Sequence, residues 1–138
     1  SCLIQNPLKY YLDIISEYDR AIIVTEDYSN PVISVLKDHP KIDAIMVCSL
    51  LETLKILLSA KNIASPGVSS FTPAIAAISR NIKRFHSSTI KMNEILNYTD
   101  IQGQDIDVIV HPIDMNKYIS YGKWINTKEQ RQLMLTYE

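Results

Sequence analysis

The segment RAIIVTE at residues 20–26 is a short, mostly apolar run that decides the fold class. It is rich in β-branched residues and shows no alternation of apolar and polar positions. Strands that helices cover on both faces have this pattern, because neither face meets water. The segments IDAIMVC at residues 42–48 and IDVIV at residues 106–110 repeat it. The sequence therefore predicts three parallel strands.

Signals for helix starts lie before, between and after these segments. Three dipeptides place a capping side chain before a proline, which fits the first helical position because its missing N–H needs no partner there. They are Asn6-Pro7, Asn30-Pro31 and Thr72-Pro73. Capping boxes begin at Ser49 and at Thr127. The sequence thus predicts helices that start at residues 7, 31 and 73 and directly after Ser49 and Thr127.

Strands that alternate with helices indicate a single α/β domain over residues 1–138. We expect a Rossmann-like or flavodoxin-like parallel sheet of three to four strands flanked by helices, with residues 2–5 as an additional strand. Extra helices are predicted in the middle, over residues 73–85 and 89–97. Another helical region, over residues 113–137, is interrupted near Gly122 or Asn126.

The net charge and the glycine and cysteine content of the chain argue against several kinds of partner and cofactor. The 138 residues carry a net charge of −1, which argues against nucleic acid or an anionic membrane as partner. Three glycines cannot form a P-loop or a dinucleotide-binding loop, so no cofactor is expected. No metal-ligand spacing is present, and Cys2 and Cys48 fit a reducing, intracellular compartment, cytoplasmic or nuclear. Because the chain starts at Ser1 without methionine, we expect a processed product or a piece of a larger protein.

Five chemically reactive side chains follow the predicted strands. They are Glu26, Asp27, Cys48, Ser49 and His111. Ligands of open parallel sheets bind beyond the carboxyl ends of the strands, where these residues would meet. An acid, a thiol or hydroxyl and an imidazole are the components of nucleophilic or acid–base catalysis. One hypothesis is therefore a small hydrolase or transferase that uses Cys48 or Ser49 with His111.

Each of these residues also has a structural explanation. Glu26 and Asp27 precede a turn-forming cluster and favour the positive end of the next helix dipole. Ser49 caps a helix and Cys48 fits a core position. His111 is held extended by the proline that follows it. These explanations favour a protein that is not an enzyme.

Two groups of residues are candidates for contact with a partner. On the predicted helix 73–85, Arg80, Lys83 and Arg84 share the face opposite the apolar one, and such a face suits an acidic or phosphorylated protein. Aromatic side chains with polar tips recur near the carboxyl end and suit a half-buried contact surface. They are Tyr118, Tyr121 and Trp124. A solvated helix face and ordinary core packing are the respective alternatives.

Two segments resemble the receiver domains of two-component signalling. VIVHPIDMNKYI at residues 108–119 is similar to the stretch where the last receiver strand ends in Lys-Pro and enters the final helix. AIIVTED at residues 21–27 is similar to a receiver strand that ends in acidic residues. Here His111 stands at the lysine position, and Cys48 or Ser49 stands where the phosphoacceptor aspartate would be. The resemblance implies a degenerate signalling or scaffolding relative without the phosphorylation chemistry.

The favoured hypothesis is a non-catalytic protein–protein interaction or scaffolding module. It rests on the lack of a complete catalytic motif and on the two candidate contact surfaces. The hydrolase or transferase is the alternative, and a third reading is anion or nucleotide binding without catalysis at the helix that follows Ser49 or Thr72. A homo-oligomer is compatible with each of them.

Overall fold

A computed structural model describes residues 4–91, 106–120 and 122–138. The strands are β1 (Ala21–Thr25), β2 (Ile42–Val47), β3 (Asn62–Ala64), β4 (Arg84–Ser88) and β5 (Asp107–His111). The helices are α1 (Leu8–Ile15), α2 (Pro31–Leu36), α3 (Leu50–Ser59), α4 (Phe71–Ile78), α5 (Met115–Tyr118) and α6 (Lys128–Thr136). A 3₁₀ turn occupies Thr89–Lys91.

The described strands form two small parallel sheets. One contains β1 and β2, and the other has the order β3-β4-β5. The predicted α/β class and the parallel pairing are therefore confirmed. The prediction of a single Rossmann-like or flavodoxin-like sheet of three to four strands is not, because β5 pairs with β4 in a sheet separate from that of β1 and β2.

The predicted helix 73–85 is wrong in its second half. The helix α4 ends at Ile78, and the chain then turns and enters β4. The hydroxyl of Ser79 explains the end of the helix, because it accepts the backbone N–H groups of Asn81 and Ile82 in place of helical partners. The helical spacing that suggested a longer helix is misleading, since Ile78 is 62% exposed.

Three predicted helix caps are confirmed. The Asn30 side chain accepts the N–H of Val32 and caps α2. Ser49 and Glu52 form the complete capping box of α3. The Thr127 hydroxyl accepts the N–H of Gln130 at the start of α6. Local side-chain chemistry therefore sets these three helix starts.

Two other predicted caps have different partners. The Asn6 side chain donates to the Ser65 carbonyl and accepts from the Ser88 hydroxyl, while α1 begins at Leu8 without a side-chain cap. The Thr72 hydroxyl hydrogen-bonds to the Ser65 hydroxyl and lies inside α4. Both side chains are buried, and that of Asn6 connects distant parts of the chain, which its sequence neighbours do not reveal.

Some predicted elements lie partly outside the described residues. Of the possible strand over residues 2–5, residues 2 and 3 are not described, and Gln5 forms an isolated antiparallel bridge with Gly67. Of the predicted helix 89–97, residues 89–91 form the 3₁₀ turn and the remainder is not described. The carboxyl-terminal region contains α5 and α6, and Gly122 lies in the predicted interruption with a φ of 70°.

Two apolar clusters hold the elements together. The first joins α1, α2 and α6 to the segment after β5. Its buried members are Leu8, Ile15, Val32, Leu36, Ile113, Tyr118 and Met134. The second packs α4 against one face of β3 and β4. Its buried members are Ile63, Ile75, Ala76, Ile82 and Phe85. The opposite face of the β3-β4-β5 sheet is left for other contacts.

Candidate functional site

The β3-β4-β5 sheet has one polar face. Side chains alternate along a strand, so Arg84, His86 and Ser88 of β4 point away from the cluster that buries Phe85. The register pairs Arg84 with Asp107 and Ser88 with His111 of β5. The polar face therefore carries charged groups at the amino ends of β4 and β5 and the Ser88 hydroxyl and His111 imidazole at their carboxyl ends, with His86 between them.

Tyrosines from α1 and the turn after it cover this polar face. The Tyr10 hydroxyl lies 2.8 Å from the carbonyl oxygen of Ser65 and 3.1 Å from that of His86. The Tyr10 ring also stands edge-on to the His111 ring, with centroids 5.3 Å apart. Tyr18 reaches the same face from the turn after α1. Aromatic rings with polar tips suit this position because they cover a polar surface and satisfy its hydrogen bonds.

Two histidines and a tyrosine form a continuous hydrogen-bonded chain on the polar face. His86 Nδ1 lies 2.9 Å from His111 Nε2, and His86 Nε2 lies 2.6 Å from the Tyr18 hydroxyl. His86 is only 1% exposed, whereas Tyr18 and His111 are partly exposed. Both ring nitrogens of the buried histidine thus have partners, and each end of the chain approaches the protein surface.

Burial keeps both imidazoles neutral. It is the main reason that the pKa of His86 falls from 6.5 to about 4, and the neighbouring His111 lowers it further. Burial also lowers the pKa of His111, although the carboxylates of Glu17 and Asp13 oppose the shift. At neutral pH each ring therefore carries one N–H and one acceptor nitrogen.

Arg84 stands beside this chain. The neighbouring Tyr18 hydroxyl is the main cause of the raised pKa of Arg84, with attraction to Asp107 a smaller cause and desolvation opposing both. The Arg84 Nε atom donates to a carboxylate oxygen of Asp107 at 3.2 Å. Arg84 therefore lies next to the Tyr18 end of the chain.

Of the predicted catalytic residues, only His111 joins this chain. Within the described residues, the side-chain contacts of His111 are to His86 and Tyr10, and no hydrogen bond joins it to Cys48 or Ser49. The Ser49 hydroxyl caps α3, and Cys48 is a partly exposed free thiol.

Glu26 and Asp27, which follow β1, belong to the turn after that strand. Glu26 and Asp27 are exposed, and Asp27 accepts the N–H of Ser29. The carboxylate of Asp27 also has a lowered pKa because of that hydrogen bond. These contacts match the turn-forming explanation of the pair.

The predicted basic face does not exist as one helical surface. Arg80 and Lys83 are exposed in the turn after α4, and Arg84 lies on β4 with Asp107 and Tyr18. The end of α4 at Ile78 separates all three residues from the helix that was expected to carry them.

Of the three residues of the predicted aromatic surface, Tyr118 is internal. Tyr118 is fully buried and donates a hydrogen bond to the Gln5 carbonyl, so its side chain belongs to the core. Trp124 is partly exposed and packs against the Tyr118 ring. Tyr121 lies outside the described residues.

A group of exposed apolar side chains lies on β1, on β2 and at the start of α3. Its members are Ile22, Met46, Val47, Leu50 and Leu51. Met46 and Val47 point to opposite faces of the β1-β2 sheet because they are neighbours on a strand. Leu50 and Leu51 are 68% and 62% exposed, which is unusual for adjacent leucines. We call this group the β2–α3 apolar surface. The sequence predicted β1 and β2 to be covered on both faces, and in the described part of the chain that cover is incomplete.

Sequence reasoning missed the β2–α3 apolar surface and the roles of His86 and Tyr18. RFHSS at β4 carries too few apolar residues to stand out as a strand, and it was assigned to the end of a helix and the residues after it. Its alternation of polar and apolar positions from Arg84 to His86 was the available signal, but it is too short to be decisive.

Comparisons with protein families, with curated proteins and with solved structures found no match for this chain. The receiver-like resemblance therefore receives no support from them. In the described residues, no group of three or more His, Cys, Asp or Glu side chains is placed to hold a metal ion. Nor is any helix there long and apolar enough to cross a membrane.

Proposed function

We propose that this protein is a non-catalytic protein–protein interaction module that contacts its partner through the β2–α3 apolar surface. The observation that carries the proposal is the exposure of four large apolar side chains within residues 46–51. Four exposed large apolar side chains within six residues favour a binding region, since their exposure to water does not stabilise the chain on its own.

The chemistry of this surface indicates an apolar partner segment. Residues 44–51 carry no charged side chain, so ion pairs contribute little to the central contact. In the described residues β2 has a neighbouring strand on one side only. Its free edge offers backbone N–H and carbonyl groups to an added strand, while the flanking apolar side chains supply specificity. This surface replaces the basic helix face as the proposed contact.

Placing charge on the β2–α3 apolar surface is expected to abolish partner binding. The test compares the wild-type chain with a Met46→Glu/Leu50→Glu variant in quantitative affinity capture from a cell extract. We expect at least a tenfold loss of specific partners, because a buried, unpaired carboxylate strongly opposes association. The matched control is Ile78→Glu, which adds charge at an exposed apolar position on α4.

The control should retain the partners that the double variant loses. Circular dichroism and thermal unfolding of all three proteins establish that each is folded. If the double variant captures the same proteins as the wild type, or if the control loses them equally, the β2–α3 apolar surface is not the binding site. Sedimentation of the purified chain shows whether the partner is a second copy.

The second candidate function is a small hydrolase or transferase that uses Cys48 or Ser49 with His111. The observation that favours it is the partly exposed position of His111 at the carboxyl end of β5, where parallel sheets bind their ligands. A nucleophile must approach its base to about 3 Å, with some looseness in the absence of substrate.

Reactivity of Cys48 separates the two candidates. On the interaction proposal, iodoacetamide modifies Cys48 at the rate of an ordinary exposed thiol, and His111→Asn does not change that rate. The rates are measured by mass spectrometry of the proteolytic peptide that contains Cys48, which separates it from Cys2. A rate at least tenfold above that of a small free thiol, lost in His111→Asn, would favour catalysis and contradict a purely non-catalytic role.

A further inference from the structure

We propose that Tyr18, His86 and His111 form a hydrogen-bond chain of fixed direction, which makes the Nδ1–H of His111 a donor for a carbonyl, carboxylate or phosphate oxygen of a ligand. The site lies at the carboxyl end of β5 and shares no residue with the β2–α3 apolar surface. The inference is therefore independent of the proposed function.

The direction is set first at Tyr18. Its oxygen lies 2.6 Å from His86 Nε2, which is shorter than the usual range for an N–H donor but ordinary for a hydroxyl donor. The guanidinium of Arg84, which has only N–H donors, lies near the Tyr18 oxygen and favours the same direction. Both observations assign the Tyr18 hydroxyl proton to His86 Nε2.

The hydrogen bond from Tyr18 determines the tautomer of His86. A neutral imidazole has one N–H, and Nε2 already accepts from Tyr18, so the proton of His86 resides on Nδ1. This Nδ1–H points to His111 Nε2 at 2.9 Å, which makes that nitrogen an acceptor. The same rule places the proton of His111 on its Nδ1. Both histidines are thus held in the same tautomer by a group that His111 does not touch.

The last N–H of the chain is unpaired within the described residues. The hydrogen bond of His111 is made through Nε2, and its side chain is partly exposed at the end of β5. Ligands of parallel sheets bind beyond such strand ends. A neutral N–H donor there selects an acceptor oxygen, and Tyr18, His86 and Arg84 act as positioning residues that prevent the opposite tautomer.

Nuclear magnetic resonance of the imidazole nitrogens tests the direction. In the full chain at pH 7.5, we expect Nδ1 of both His86 and His111 to show a pyrrole-like ¹⁵N shift and Nε2 a pyridine-like shift. In Tyr18→Phe the fixed donor is lost, so both histidines should become tautomeric mixtures. The control Tyr28→Phe removes an exposed hydroxyl and should leave both unchanged.

The result that overturns the proposal is a pyrrole-like Nε2 in either His86 or His111 of the wild-type chain. An unchanged His111 in Tyr18→Phe would equally contradict transmission through His86. The ligand is probed with acetate and with inorganic phosphate, and at least one should shift the His111 Nδ1 resonance in the wild type. Lack of response to both overturns the assignment of a binding site, and the anion that responds distinguishes carboxylate from phosphate ligands.

Discussion

Lowering the pH from neutrality to pH 4 is expected to reduce the free energy of unfolding by about 3 kcal/mol through His86 alone. The pKa of His86 falls from 6.5 to about 4 in the folded chain, mainly because the ring is buried. Between these values the unfolded chain binds a proton that the folded chain does not. The contribution of His86 to the free energy of unfolding is therefore fully present above about pH 6.5 and is lost progressively as the pH falls towards 4.

Two histidine variants separate the contribution of His86 from that of the carboxylates. Urea unfolding is measured between pH 4 and pH 7.5 for the wild type, for His86→Asn and for His39→Asn. The first variant should be less stable at pH 7.5 and should lose less stability on acidification. The control should follow the wild type, since an asparagine can replace the acceptor that His39 offers to the Lys41 N–H. Identical pH profiles for His86→Asn and the wild type would contradict a buried neutral His86.

Replacing Gly67 by alanine is expected to destabilise the fold by about 3 kcal/mol or more. Gly67 has a φ of 140°, which side chains rarely adopt, and an added Cβ would lie 2.3 Å from the carbonyl oxygen of Ile4. The clash is with backbone and cannot be relieved by a rotamer change. It would separate Gly67 from Gln5, with which it forms an antiparallel bridge, and disturb the hydrogen bond from Asn6 N–H to the Pro66 carbonyl.

Gly122 provides a matched control for this substitution. It also has a positive φ, of 70°, but an added Cβ would meet nothing within 4 Å. Gly122→Ala should therefore destabilise by about 1 kcal/mol, from backbone strain alone. Thermal and urea unfolding of both variants measure the difference. Equal losses would show that the close approach of Ile4 to Gly67 does not contribute to stability.

Local signals in the sequence predicted a substantial part of the fold. The strands β1, β2 and β5 match apolar β-branched runs, and the caps at Asn30, Ser49 and Thr127 set helix starts. These features depend on residues within a few positions of one another. The physical causes act locally, so the sequence pattern is sufficient to identify them.

Features that depend on distant contacts were not predicted. β4 is a strand because Phe85 fills the core beneath α4 and because His86 contacts Tyr10 of α1 and Tyr18 of the turn after α1. Asn6 shows the same effect, since its side chain bonds to Ser65 and Ser88 and does not cap α1. None of these partners lies near in sequence, and helical spacing therefore outweighed the weaker strand signal.

His111 illustrates the same division within the candidate site. Its position at the end of a strand was predicted from the run VIVH before Pro112. Its actual partner, His86, lies 25 residues away on a strand that the sequence does not predict, directly after the predicted helix 73–85. The sequence therefore located one group of the site correctly but supplied the wrong neighbours for it.

The most direct test of this account is the coupling energy between Tyr18 and His86. A double-mutant cycle with Tyr18→Phe, His86→Asn and the combined variant, measured by urea unfolding at pH 7.5, isolates the interaction across the polar face. We expect a coupling of about 1 kcal/mol, typical of a hydrogen bond with a buried partner. Additive effects of the two substitutions would mean that Tyr18 does not hold His86, and the chain from Tyr18 to His111 would not exist.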